Sequence, residues 1–126
     1  MAGKIVADTL EHSTAGSVDT QYVVDGSLKQ WINMNGDGTV SVRDSLNNSS
    51  ITDNGTGNYT VTHTNNFSSA NYAPTIGTGD TGQRAYPDLA DSGTVQAGQY
   101  GIISSTYLAA LTDARICTGH AVGDLA

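Results

Sequence analysis

The chain has 126 residues and a formal net charge of −7, carried by twelve acidic and five basic side chains. Its length allows one domain that buries about two thirds of its unfolded surface. The cations Lys4, Lys29, Arg43, Arg84 and Arg115 are scattered singly, which argues against nucleic-acid binding; no apolar run approaches the roughly 20 residues that span a bilayer, so no membrane insertion is expected; and a lone Cys117 excludes an internal disulfide.

The core looks thin. Leu, Ile, Val and Phe together make up 24 of 126 residues, which with the net charge places the chain near the disordered class. The periodicity of its strand-like stretches argues against disorder. Composition and periodicity are reconciled if part of the apolar burial lies between subunits, as in an obligate oligomer.

Residues 1–24 differ from the rest of the chain and read as an extended N-terminal arm. Met1–Ile5 lacks the apolar stretch of a signal peptide. Ile5–Leu10 predicts a short strand, Ser13–Ser17 a flexible break, and Val18–Val24 extended chain that packs on a neighbour or an attachment point. An ordinary first strand of the same domain is the alternative.

Residues 25–126 predict an antiparallel β-sandwich. From Leu28 the period is two: Leu28, Gln30, Ile32 and Met34 share one face, and Lys29, Trp31 and Asn33 the other. Gly36-Asp37-Gly38 closes a hairpin onto Thr39–Arg43, with Val40 and Val42 on one face. Asp53-Asn54-Gly55-Thr56-Gly57 is a second tight turn, after which Tyr59, Val61 and His63 alternate with threonines suited to the pleat. Tyr72–Ile76 predicts a strand with Pro74 at an edge or bulge. Residues 77–98 read as a long loop, a common setting for binding residues. Tyr100–Tyr107 and Arg115–Val122 predict the last strands, with one helical turn at Leu108–Leu111 between them. About eight short strands imply an all-β fold, a jelly-roll-like sandwich or a small barrel.

Few residues invite chemistry. Gly77-Thr78-Gly79-Asp80-Thr81-Gly82 has the glycine spacing of a dinucleotide loop, but Gln83–Pro87 after it cannot start the helix that would meet the pyrophosphate. Asn33, Asn35, Asp37, Gly38 and Asp44 fall at calcium-loop positions, yet strands flank them and no glutamate closes the loop, so a hairpin turn is the better reading. His12, His63 and His120 lack the spacing of a zinc site. No Gly-x-Ser-x-Gly or His-Glu-x-x-His motif occurs, and Glu11 is the only glutamate. The expectation is a protein that is not an enzyme, with no catalytic residues, no cofactor and no metal. The candidate binding residues are Asp80, Arg84, Tyr86 and Asp88, in the long loop; Tyr86 beside Pro87 is the best exposed aromatic for stacking on a sugar or filling a partner's pocket.

Residues 22–45, from Tyr22-Val23-Val24-Asp25-Gly26-Ser27-Leu28 to Arg43-Asp44-Ser45, resemble a segment of small tail-fibre-like and structural proteins of tailed, especially aquatic, bacteriophages. Ser50–Val61, Asn71-Tyr72 and the terminal Gly123-Asp124-Leu125-Ala126 extend the resemblance, whereas residues 77–98 do not match. The resemblance implies a β-rich homotrimer on the virion surface, assembled in the host bacterial cytoplasm, with no catalytic residues to carry over. It is compatible with two roles. One is a tail-fibre or receptor-binding component for host recognition, contacting a host-surface glycan or protein. The other is a capsid decoration protein whose arm binds the major capsid shell. Its partners in either role are itself and other virion proteins.

Overall fold

The computed structural model describes residues 3–79 and 95–126 and the backbone of 86–89. The elements are β1 (Thr9–His12), β2 (Gly16–Asp19), α1 (Thr20–Gly26), β3 (Leu28–Asn35), β4 (Ser41–Leu46), β5 (Asn48–Asp53), β6 (Asn58–His63), β7 (Ala73–Gly79), β8 (Tyr86–Leu89), β9 (Gln99–Ser105) and β10 (Ile116–Val122). Strands β3 to β10 form two four-stranded antiparallel sheets, ordered β4-β3-β10-β7 and β5-β6-β9-β8. The fold is an all-β sandwich of two open sheets rather than a closed barrel.

Alternation decides what lies between the sheets. Gln30, Ile32 and Met34 of β3 and Cys117 and Ala121 of β10 point inward from the first sheet; Tyr59, Val61 and His63 of β6 and Tyr100, Ile102 and Ser104 of β9 face them from the second. Phe67, Tyr72 and Ala114 complete the cluster from connecting segments. Every one of these residues comes from Gln30 onward, so the core closes within one chain and without the N-terminal segment.

Two tyrosines bridge the sheets where glycine leaves room. The Tyr100 hydroxyl donates to Gln30 Oε1 at 3.1 Å, and a Cβ on Gly119 would overlap that hydroxyl oxygen. Tyr59 reaches the turn after β3, where its hydroxyl lies 2.9 Å from both Gly36 O and Asp113 Oδ1; a Cβ on Gly36 would lie 2.5 Å from it. Asp113 Oδ1 also accepts from Gly57 N at 2.7 Å, so one carboxylate ties both hairpin turns to the approach to β10. This knot marks one end of the sandwich. Burial, reinforced by Asp113, pushes the Tyr59 hydroxyl well above the usual phenol range.

Between β4 and β5 the chain changes sheets through a single residue. Asn47 sits between β4 and β5 at φ 55° and exchanges hydrogen bonds with Asn65, accepting from Asn65 N at 2.7 Å and donating to Asn65 O at 3.0 Å. Asparagine is among the few residues that adopt this left-handed backbone readily, and here Asn65 holds its side chain.

Three expectations are corrected. Residues 3–26 do not run extended: β1 and β2 form a hairpin and α1 comes directly after it. Residues 77–98 are not one long loop, since β7 continues to Gly79 and β8 pairs with β9. Leu108–Leu111 makes no helical turn; Thr106 and Ala110 close a tight turn with Ala109 at φ 60°.

Gly119→Ala places a methyl group against a fully buried ring and is expected to cost about 1–3 kcal/mol in urea denaturation. Combined with Tyr100→Phe, which removes the clashing oxygen, the loss should fall short of the sum of the single losses by at least about 0.5 kcal/mol. Strict additivity would mean that Tyr100 is not what excludes a side chain at position 119.

Candidate functional site

The sequence points to Asp80, Arg84, Tyr86 and Asp88 as binding residues. Asp80 and Arg84 lie outside the described residues. Tyr86 and Asp88 belong to β8, in register with Ser105 and Ile103 of β9. The chain leaves β7 opposite Ile116 and enters β8 opposite Ser105, both at the end of the sandwich that carries the Tyr59 knot. The N-terminal segment joins at the other end, where Leu28 pairs with Val122.

The calcium-like turn is closed by its own hydrogen bonds. Asn35 Nδ2 donates to Asp37 O at 2.5 Å and Thr39 O at 3.2 Å, Asp37 pairs with Arg115 Nε at 3.3 Å, and Asp44 accepts from Ser45 N at 2.8 Å. Gly77 lies inside β7, where Thr118 Oγ1 donates to its carbonyl at 3.3 Å, so it serves strand pairing. The three histidines are not brought together: His12 sits on β1 and accepts from Ala15 N at 3.1 Å, His63 faces the core, and His120 lies exposed on β10. Among the described residues no three His, Cys, Asp or Glu side chains converge. Cys117 is buried beside Ala114 O, and burial pushes its thiol up to about 11, far from a reactive thiolate.

Near the N-terminal junction, His63 sits among aromatic rings. Its ring meets Phe67 edge-on with centroids 5.1 Å apart and Tyr72 at 5.6 Å, while Phe67 and Tyr72 stack at 4.1 Å. The Tyr72 hydroxyl donates to Gln99 O at 2.7 Å, which leaves its oxygen to accept from His63 Nε2 at 3.4 Å. That arrangement orients no nucleophile. Beside it, Asp25, Ser68, Ser69, Asn71, Tyr72, Gly123 and Asp124 line an open cleft of about 330 Å³. The Asp124 carboxyl is held above its ordinary range by a hydrogen bond to, and repulsion from, Asp25.

The feature that stands apart chemically is the N-terminal segment. Thr20 ties it together, its amide donating to Asp8 O at 2.8 Å and its hydroxyl to Ala7 O at 2.6 Å. Lys29 donates to Val24 O and to Ser27 O, a cation at the C-terminal end of α1 where the helix dipole favours one. Yet α1 buries no residue, and Ile5, Val6, Leu10, Val18, Tyr22, Val23 and Val24 are all exposed, Ile5 at 91%, Val6 at 80% and Tyr22 at 71%. Lys4, Ile5, Val6, Ala7, Leu10, Thr20, Val23 and Val24 line an open groove of about 450 Å³. Scattered exposed apolar residues are ordinary, but Ile5, Val6, Leu10, Val23 and Val24 line one groove, a patch of the kind that marks an interaction surface.

Sequence reading expects an extended arm here and misses its shape. Val23 and Val24 are β-branched and Thr20-Gln21-Tyr22 carries no helical periodicity, so the stretch reads as extended. The signals for the helix were Gly26 at its end and Lys29 just beyond it. Comparison of the chain with known protein families, with curated proteins and with solved structures finds no match.

Burial pushes the His63 imidazole below its ordinary value, with the Asn47 backbone opposing. The unfolded chain therefore takes up a proton at higher pH than the native one. The stability owed to the neutral ring is complete above about pH 6.5 and is lost as pH falls below it. Urea midpoints at pH 7.5 and 5.5 should show a loss of order 1 kcal/mol that His63→Gln largely removes. An unchanged pH slope in the variant would assign the loss to other groups.

Proposed function

We propose that this chain is a non-enzymatic structural protein of a bacteriophage particle, held in place by residues 3–26 and presenting its sandwich outward. The observation that carries this reading is the contrast within the molecule. The sandwich closes its own core from Gln30 onward, whereas the hairpin and helix before it leave seven large apolar side chains in water. A segment that is ordered but buries nothing gains little by itself, and contact with a partner supplies the missing burial.

The arrangement of the ends supports the same reading. The apolar segment lies at one end of the sandwich, and the chain passes from β7 to β8, the part outside the family resemblance, at the other. An apolar segment held at one end of a self-contained sandwich is the geometry an attached exterior domain needs. A core completed within one chain suits a capsid decoration protein better than a fibre, in which neighbouring chains would share the core. In either setting the sandwich is a spacer and display domain, and no step of bond chemistry is asked of it.

Removal of residues 1–26 is the direct test. The shortened chain should still unfold cooperatively, because no core residue is lost, but it should be absent from purified particles. Incorporation at the level of the full chain would overturn the reading.

A further inference from the structure

The dipeptide Asn-Gly occurs twice, as Asn35-Gly36 after β3 and as Asn54-Gly55 after β5. Glycine has no side chain to shield its amide nitrogen, so that nitrogen can reach the carboxamide carbon of the asparagine before it. The fold treats the two steps in opposite ways. At the first, Asn35 Nδ2 donates to Asp37 O and Thr39 O, and Asn35 Oδ1 accepts from Arg43 at 3.3 Å. Gly36 is buried against the Tyr59 ring and gives its amide to Ala114 O at 2.9 Å. Neither group can swing toward the other without breaking these bonds.

The second step lies in the open. Asp53, Asn54 and Gly55 are exposed, and no atom stands within 4 Å of where a Gly55 side chain would begin. Gly55 N donates to Asp53 Oδ1 at 2.9 Å, which puts a carboxylate within hydrogen-bond reach of the proton that cyclisation removes. Asn54 Nδ2 donates to Thr60 Oγ1 at 2.9 Å, a contact that restrains the carboxamide. We propose that Asn54-Gly55 is a self-modification site whose proton acceptor is Asp53. Asp53 takes the Gly55 amide proton as Gly55 N bonds to Asn54 Cγ; the Cγ–Nδ2 bond breaks, and Nδ2 leaves with that proton as ammonia. Water then adds to one of the two carbonyl carbons of the succinimide and breaks its bond to Gly55 N. Opening at Cγ gives aspartate, and opening at the backbone carbon gives isoaspartate. Nothing is oxidised or reduced, and no other macromolecule takes part. Each event adds a carboxylate beside Asp53, in the turn that Asp113 ties to the Tyr59 knot, away from the N-terminal junction. That end of the sandwich therefore changes charge as the molecule ages, whatever residues 3–26 hold.

The test uses the full-length chain, incubated in mildly alkaline buffer with and without urea and then digested for peptide mapping by mass spectrometry. Isoaspartate is read separately by enzymatic methyl transfer. In buffer, conversion at Asn54 should outrun conversion at Asn35 by at least about tenfold, and in urea the two rates should converge. Equal rates in buffer, or a faster Asn35, would overturn the site. An unchanged ratio in urea would assign the difference to neighbouring sequence instead of the fold, and would overturn it too. The variant Asp53→Asn keeps an oxygen to accept from Gly55 N but removes the base. It should slow conversion at Asn54 by at least about tenfold, with the urea midpoint unchanged. Conversion at or above the native rate in this variant would mean that Asp53 only holds the turn, and its assigned role would fall.

Discussion

The sandwich depends on two tyrosines that cross the space between its sheets. Tyr59 and Tyr100 are fully buried, and each ends against a glycine of the opposite layer, Gly36 and Gly119. A chain with so few large aliphatic side chains cannot fill its interior with Leu and Ile alone. Aromatic rings supply the volume, and glycines of the facing layer, Gly119 on β10 and Gly36 in the turn after β3, leave them room. The hydroxyls at the ring tips would be costly if unpaired, and they find Gln30, Gly36 O and Asp113. Packing and polar satisfaction are thus one constraint: moving either sheet would break both.

That constraint organises the two ends of the molecule. Tyr59 gathers the turns after β3 and β5 and the approach to β10 at one end. The stacked Phe67 and Tyr72, with His63 against them, close the other, where Ser68 N donates to Asp124 O at 2.8 Å and Ala126 N to Asn66 O at 2.9 Å. The N-terminal hairpin and helix join at this second end through Lys29 and the neighbouring Asp25 and Asp124, which are surface contacts. The segment is therefore attached to a stable body without contributing to its interior, the arrangement a docking element requires.

The same division bears on composition. The thin apolar content suggested that burial is shared between subunits. The sandwich answers part of this internally by using Tyr, Gly and Cys where Leu and Ile would be expected. Among the described residues, exposed apolar content gathers in the N-terminal segment and at positions such as Tyr107 and Leu108 of the β9–β10 connection. Apolar surface that composition could only count is placed by the fold, and its placement carries the functional reading.

Local alternation was legible in the sequence. The inward set Gln30, Ile32 and Met34, the inward set Tyr59, Val61 and His63, and the glycine turns at Gly36–Gly38 and Gly55–Gly57 all arise from period two and from residues that tolerate positive φ. These properties belong to each residue and its near neighbours, so a single chain encodes them directly. What only the tertiary structure decided is non-local. The helix at Thr20–Gly26 is held by Ala7, Asp8 and Lys29 against the preference of its valines; β8 exists because β9 lies beside it; Gly119 is glycine because Tyr100 arrives from the other sheet. The candidate site divides the same way. That the N-terminal segment differs from the strands after it could be read from the sequence, but that it presents an apolar groove could not. Which side chains remain uncovered is settled only after every other strand has taken its place.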